Sequence, residues 1–319
     1  PGMITGSSTA AVLSAGINMA PILALMGIDA VTSGSIIAMG ALLGMIAPPV
    51  NTAALIICAG IDVPYVGFEG PLALITFPLA ILFVLLLGYK QARHMDYEKL
   101  KPALEKQDAI RKQYGVRIYI PLLVLVALMV IFKVLKLGED IGMPLMFLIS
   151  AAVGLFTGKK INVLTAVPEA IRTAAPVMGI LMGVGMFIEV MTATGVRGLV
   201  VISCLRLPST LWLLACAISI PLFGAVSSYG ACSVLGVPFA YIYASLLGGN
   251  SVVVLAAISL IAAVGDMMPP TALAGLFAAQ VTGVEKYTEI LKRCIVPIII
   301  LLVYACFFLA NSKLIAGLF

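Results

Sequence analysis

The chain has 319 residues, of which 62% are hydrophobic and only 10% are charged. A soluble domain carries roughly 25% charged residues, so the composition excludes an ordinary soluble protein and predicts an all-α polytopic membrane protein. The net charge of +5 does not indicate nucleic-acid binding, because the basic residues lie between the apolar runs and form no stripe.

In chain order, the first feature is a small polar cluster at residues 5–9, which we predict to be the tip of a re-entrant hairpin. Residues 9–26 form its return arm. A helix over 30–46 is predicted to stop at Pro48-Pro49, because proline lacks an amide donor and disfavours helix in the preceding residue. The chain resumes as helix over 53–60, and residues 71–89 are long and apolar enough to span a bilayer.

Residues 90–117 differ in kind, with eight Lys or Arg and four Asp or Glu, and are predicted to form a charged cytoplasmic connector. The predicted helices after it are 118–136, 143–157, 174–193, a hairpin of 209–226 and 230–247, a helix over 251–266 that breaks at 267–272 and resumes over 273–281, and a last span at 294–312.

The polar cluster and the Pro-Pro break occur twice in the chain. An offset of 221 residues carries Ser7 onto Ser228 and Pro48-Pro49 onto Pro269-Pro270. Such sequence is costly in lipid and is tolerated where the backbone lines a cavity. The repeat therefore predicts a secondary transporter whose substrate and ion site lies where the two copies meet.

The repeat divides the chain into the C-terminal part of a first repeat (1–89), the connector (90–117) and a second repeat (118–319). The second copy has about 110 residues between the connector and its cluster, so we expect further N-terminal helices in a complete first copy. With the connector in the cytoplasm, fourteen of the nineteen Lys and Arg residues fall on the cytoplasmic side. This positive-inside asymmetry predicts that the repeats are inverted.

The polar clusters supply hydroxyl groups at predicted helix N-termini, where unpaired N–H groups and a partial positive charge suit an anionic ligand. The predicted substrate-binding residues are Ser7, Ser8, Thr9, Ser228, Tyr229 and Thr271. Carbonyl and hydroxyl oxygens at the same breaks suit Na⁺, which we predict as the coupling ion. The predicted cation ligands are Gly6, Ser7, Pro48, Asn51, Thr52, Ser227, Asp266 and Pro269.

Asp266 directly precedes the second break, at the position that corresponds to Met45 in the first copy. A carboxylate within the membrane costs several kcal/mol unless it is paired, so such a residue is a functional-site candidate. Its predicted role is to bind Na⁺ or to carry a coupling proton.

The sequence disfavours an intramembrane enzyme. Ser7 and Ser228 have no histidine at triad spacing, and Asp266 is not one of a carboxylate pair. His94 lies alone in the charged connector, and the six cysteines stand singly in apolar sequence, with no metal-binding spacing.

Residues 2–10 (GMITGSSTA), with Gly16, Pro21, Met26-Gly27 and residues 44–50 (GMIAPPV), resemble the large membrane subunit of TRAP transporters, the DctM family. The resemblance extends in order over essentially the whole chain. It implies Na⁺-coupled uptake of organic acids, such as C4-dicarboxylates or sialic acid, across the bacterial inner membrane by elevator-type motion. It also implies two partners, a small membrane subunit and a periplasmic substrate-binding protein.

The second break departs from the family pattern, since residues 265–271 read GDMMPPT. The alternative is therefore a proton-coupled carrier or Na⁺/H⁺ antiporter of the same superfamily that works without a binding protein.

The predicted topology is tested by cysteine labelling in intact cells. We expect Leu100→Cys to react only with reagent that reaches the cytoplasm, and Gly67→Cys with reagent applied outside. The unsubstituted chain corrects for its native cysteines, and the reverse pattern would overturn the topology.

Overall fold

The computed structural model describes residues 1–93, 115–134, 143–157, 162–196 and 211–319, together with 101, 102, 105, 112, 113, 199, 202, 203 and 206–208. These residues are almost entirely helical and include no strand, which confirms the predicted all-α class. Most of the 90–117 connector lies outside the described residues. The chain forms two compact units, a larger one of Pro1–Asp96 with Val177–Phe319 and a smaller one of Tyr97–Pro176.

The helices before the connector all belong to the larger unit. They are α1 (Gly2–Thr5), α2 (Ser8–Ala11), α3 (Ile17–Leu25), α4 (Ala30–Ile46), α5 (Thr52–Gly60), α6 (Glu69–Leu87) and α7 (Tyr89–Ala92), with a π-helical turn at Val12–Gly16. Gly6 separates α1 from α2 in a left-handed conformation (φ 60°), which a residue without a side chain adopts at little cost. Ser7 then begins α2 as its N-cap.

The helices after the connector are α8 (Ile120–Val134), α9 (Met143–Thr157), α10 (Val163–Ala193), α11 (Trp212–Ala240), α12 (Ser251–Ala263), α13 (Leu273–Thr282), α14 (Tyr287–Ala310) and α15 (Ser312–Ala316). In the smaller unit, the Ser150 hydroxyl of α9 donates to the Pro121 carbonyl of α8 at 2.8 Å.

Both predicted helix breaks are present. The first lies between α4 and α5, where the Asn51 side chain caps α5 by accepting from the Ala54 N–H at 2.9 Å. The second follows α12, which continues as a 3-10 turn at Val264–Met267 before α13 begins at Leu273. The Pro-Pro peptide bond is cis in both breaks.

The predicted second hairpin lies within α11, whose residues are helical on both sides of a reversal in chain direction. The Cys232 thiol donates to the Ile220 carbonyl at 3.0 Å. Two residues twelve positions apart in a straight helix are ~18 Å apart, so the chain must reverse between them. The two apolar arms are Trp212–Ala225 and Cys232–Leu246, which confirms the hairpin.

Each hairpin meets its broken helix backbone to backbone, at a pair of glycines. A Cβ atom added to Gly2 would lie 2.7 Å from the Gly44 carbonyl carbon, and one added to Gly224 would lie 2.4 Å from the Gly265 Cα. Such close approach is what small residues permit between membrane helices. The two copies of the repeat therefore share their packing as well as their sequence, while the inverted orientation of the copies stays a prediction.

Helix α12 is the centre of the larger unit. Every residue from Val253 to Ala263 is buried, and the helix packs against α5, α11 and α14. A helix that is apolar all round is buried on all sides, so α12 is the element around which the second hairpin and the first broken helix are placed.

Three described helical segments are long and apolar enough to cross a membrane, namely Ser8–Leu25, Glu69–Leu87 and Tyr287–Ala310. The last two confirm the spans predicted at 71–89 and 294–312.

The glycine contacts lead to a stability prediction. We expect Gly224→Ala to destabilise the protein by about 1–3 kcal/mol. The added methyl group would overlap the Gly265 backbone, so the hairpin and the broken helix would have to move apart. Gly44→Ala is the matched control, since its Cβ would lie 3.7 Å from the Gly2 Cα, an ordinary contact. Thermal unfolding of both variants in detergent checks this, and equal midpoints would contradict it.

Candidate functional site

The Asp266 carboxylate lies at the centre of the candidate site. It belongs to the 3-10 turn before the second break and has 0% exposure. One oxygen, Oδ2, accepts a short hydrogen bond from the Ser8 hydroxyl. The other, Oδ1, accepts from the Tyr229 backbone N–H at 3.1 Å. One carboxylate thus holds groups from both repeats.

Its two partners come from the two hairpins. Ser8 is the first residue of helix α2, two residues after the left-handed Gly6, at the predicted tip of the first hairpin. Tyr229 lies within the reversal of α11, at the tip of the second hairpin. The carboxylate of the second broken helix therefore connects both tips, and the site lies where the two copies meet.

Thr52 brings the first broken helix into the same cluster. Its hydroxyl donates to the Gly6 carbonyl at 2.6 Å, and it lies beside the buried Tyr229 side chain. Both hairpin tips and both breaks thereby contribute atoms to one polar cluster.

The electrostatics of this cluster are unbalanced. Within the described residues, the Asp266 carboxylate accepts hydrogen bonds from the Ser8 hydroxyl and the Tyr229 N–H, and neither of these donors carries charge. A buried ionised carboxylate without an opposite charge is strongly disfavoured. Neutralising this carboxylate would therefore take either a proton or a bound cation.

The oxygen atoms at the site are of the kind that hard cations prefer. Carboxylate, hydroxyl and backbone carbonyl oxygens meet at the site, and hard cations prefer oxygen ligands. Among the described residues there is no group of three or more His, Cys, Asp or Glu side chains, which is the usual pattern for a transition metal.

Asn51 is also fully buried, but its side chain is already engaged. Its Oδ1 caps α5, and its Nδ2 donates to the Ser259 hydroxyl of α12 at 2.8 Å. Its backbone N–H donates to the Tyr65 hydroxyl at 3.2 Å, and that hydroxyl in turn donates to the Pro49 carbonyl at 3.1 Å. Asn51 therefore connects the first break to the core helix.

Ser259 was not predicted from the sequence, and neither were Tyr65 and Tyr287, which donate to carbonyls of the two breaks. The Tyr287 hydroxyl donates to the Pro270 carbonyl at 3.4 Å, as Tyr65 does to Pro49. The two tyrosines are 222 residues apart, one more than the repeat offset. This near match in the sequence could have indicated that they have the same role in the two copies.

The remaining predicted residues differ in burial and in hydrogen bonding. The Ser7 hydroxyl caps α2 by accepting from the Ala10 N–H at 3.3 Å, and Thr9 is half-buried. The Thr271 hydroxyl donates to the Gly224 carbonyl at 3.0 Å, which connects the second break to the second hairpin. Pro48 is half-buried and Pro269 is exposed. The side chains of Ser227 and Ser228 lie outside the described residues.

Comparison with known proteins identifies the family. A family model described as "Tripartite ATP-independent periplasmic transporter, DctM component" matches residues 2–312. The chain belongs to the DctM family. No curated protein matches the chain. The predicted resemblance is thus confirmed, and this DctM protein is a multi-pass membrane protein of a transporter family rather than an enzyme family. DctM components work in general with a small membrane subunit and a periplasmic binding protein.

The hydrogen bond from Ser8 to Asp266 generates a prediction. We expect Ser8→Ala to destabilise this DctM protein by about 1–3 kcal/mol, because it removes a hydrogen bond to a buried carboxylate. Thr76→Ala is the matched control, since the buried Thr76 hydroxyl donates only to the Leu72 carbonyl of its own helix. Thermal unfolding in detergent compares the two, and an equal loss would argue against a special role for the Ser8 bond.

Proposed function

We propose that this DctM protein is a secondary active transporter that couples Na⁺ to the uptake of small organic anions of the dicarboxylate or sialic-acid type. It acts in the bacterial inner membrane together with a small membrane subunit and a periplasmic binding protein. The observation that carries the proposal is the fully buried Asp266 carboxylate, which connects both hairpin tips and has no cationic partner among the described residues.

The unbalanced charge supports the role of Na⁺. A cation that binds near Asp266 removes the electrostatic cost of the buried carboxylate and uses hydroxyl and carbonyl oxygens that are already at the site. Ser8 and Tyr229 would position the carboxylate, and Thr52 with the Gly6 carbonyl would provide the nearest further oxygens. Ion binding would then strengthen the connection between the two tips.

The position of the first hairpin tip supports the proposal that the substrate is an anion. Helical backbone runs from Ser8 to Leu25, and its N-terminal end faces the polar cluster with Ser7 and Thr9 alongside. A helix of this length presents unpaired N–H groups and a partial positive charge at that end. A carboxylate of the substrate would bind there more favourably once a cation has neutralised Asp266, and this dependence is the basis of coupling.

The shared cluster also supports an elevator-like motion. The two hairpins and the two broken helices are connected through Asp266, Thr52 and the glycine contacts, so we propose that they move together as one body. Moving an uncompensated carboxylate through the membrane costs several kcal/mol. The loaded and neutralised site would therefore move more readily than the site with a bare carboxylate.

A proton would satisfy the same carboxylate. A proton-coupled carrier or a Na⁺/H⁺ antiporter is therefore the second candidate, and it rests on the same burial of Asp266.

The experiment measures thermal unfolding of the purified protein in NaCl, KCl and choline chloride at equal ionic strength. A ligand that binds only the folded state stabilises it, by about 2.7 kcal/mol at one hundred times its dissociation constant. We expect stabilisation by Na⁺ alone, and we expect Asp266→Asn to abolish it together with Na⁺-driven uptake.

Asp29→Asn is the matched control. The exposed Asp29 side chain caps α4 by accepting from the Thr32 N–H at 2.8 Å, and asparagine caps a helix about as well as aspartate. This variant should keep the Na⁺ effect. Stabilisation that follows pH instead of Na⁺ would favour proton coupling, and an unchanged Na⁺ effect in Asp266→Asn would remove Asp266 from the ion site.

A further inference from the structure

A cavity of about 460 Å³ lies at the end of the spanning helix Tyr287–Ala310. Its walls include Trp212, which begins the first arm of the second hairpin, and Tyr243, near the end of the second arm. Ser312 and Lys313, which follow α14, complete it. The cavity is therefore at the base of the second hairpin, at the opposite end of the arms from Tyr229 and the proposed transport site.

Two hydrogen-bond donors, Ser312 and Lys313, line the cavity. The Ser312 side chain is largely buried, whereas Lys313 is exposed. The cavity therefore places a hydroxyl group and an ammonium group side by side where a ligand can reach both.

Both donors face the same glycine turn. A Cβ atom added to Gly249 would lie 2.8 Å from the Ser312 Oγ, and one added to Gly248 would lie 3.7 Å from the Lys313 Nζ. The absence of side chains at these two glycines keeps the space beside the donors open. A hydroxyl and an ammonium that share one cavity suit an anionic oxygen group, such as a phosphate.

An exposed apolar stripe leads away from this cavity along α14. Its members are Val296, Ile299, Val303 and Phe307, which are 54–65% exposed and recur every three or four residues on one face of the helix. The stripe continues to Ala310 and Leu314 in the cavity wall. From 296 to 310 the helix rises ~21 Å, which exceeds the ~15 Å of hydrocarbon in one leaflet.

We propose that this cavity binds an anionic phospholipid. The phosphate lies between Lys313 and Ser312, and one acyl chain follows the stripe on α14. The position agrees with this occupant, because Trp and Lys at the end of a spanning helix mark the level of the lipid headgroups. The bound lipid would contact both arms at the base of the second hairpin together with the end of α14.

The chain itself supplies the probe, since Trp212 is its one tryptophan and lies in the cavity wall. The experiment titrates the detergent-solubilised protein with phosphatidylglycerol that carries brominated acyl chains, and it records quenching of the Trp212 fluorescence. We expect saturable quenching at lower lipid concentration than with brominated phosphatidylcholine. Inorganic phosphate should not reverse the quenching, because it lacks the acyl chain.

Variants locate the site. A single basic residue near an anionic lipid contributes about fivefold in affinity, so Lys313→Glu should raise the half-quenching concentration by at least that factor. Ser312→Ala should raise it about twofold. The matched control is Lys292→Glu, an exposed lysine at the other end of α14, which should change nothing.

Three results would overturn the proposal. Quenching that is the same in Lys313→Glu as in the unsubstituted protein, or the same with phosphatidylcholine, would mean ordinary lipid contact with no specific site. Reversal of the quenching by inorganic phosphate would assign the cavity to a soluble oxyanion. Should Lys313→Glu fail to fold, Lys313→Gln makes the same test with a smaller change.

Discussion

The arrangement of the larger unit depends on one buried carboxylate. Asp266 accepts hydrogen bonds from the tips of both hairpins, and it has no exposure to solvent. The equivalent position in the first copy is Met45, which is also fully buried, so one carboxylate serves both copies. The two repeats are alike in backbone but differ in charge at this position. The cost of burying a carboxylate therefore falls on Asp266 alone of the two positions.

The rest of the larger unit supports this connection. Helix α12 is buried all round and leads directly into the turn that carries Asp266. Asn51 connects the first break to α12 through Ser259, and glycine pairs bring each hairpin against its broken helix. A cation that binds beside Asp266 would act on elements already in contact, which is why ion binding and substrate binding are coupled in the proposed mechanism. The second hairpin would then have two functional ends, the proposed ion and substrate site at its tip and the proposed lipid site at its base.

Much of this fold could be predicted because its causes are local. Proline at 48–49 and 269–270 breaks a helix whatever surrounds it, and runs of apolar residues form helices in lipid because the backbone must satisfy its own hydrogen bonds. The predicted helices 30–46 and 143–157 agree with the structure residue for residue. The repeat offset predicted that the two polar clusters belong to one site. Tyr65 and Tyr287 are separated by nearly the same offset, so their shared role could also have been predicted.

The sequence by itself determined most of the helical segments, where they break, and which residues are polar within the membrane, although the helix Val163–Ala193 begins eleven residues before the predicted 174–193. Only the tertiary structure decided that the Ser8 hydroxyl donates to Asp266, 258 residues away in the chain, and that the Asn51 side chain donates to the Ser259 hydroxyl. The hydroxyls of Ser7 and Ser8 are adjacent and chemically identical, yet Ser7 caps its own helix and Ser8 reaches the carboxylate. The physical reason is that Ser7 is the extended N-cap residue, whose side chain accepts from the N–H three residues on, whereas Ser8 is the first residue of the helix. Neighbouring side chains therefore face different partners, and which partner is present depends on how distant helices pack.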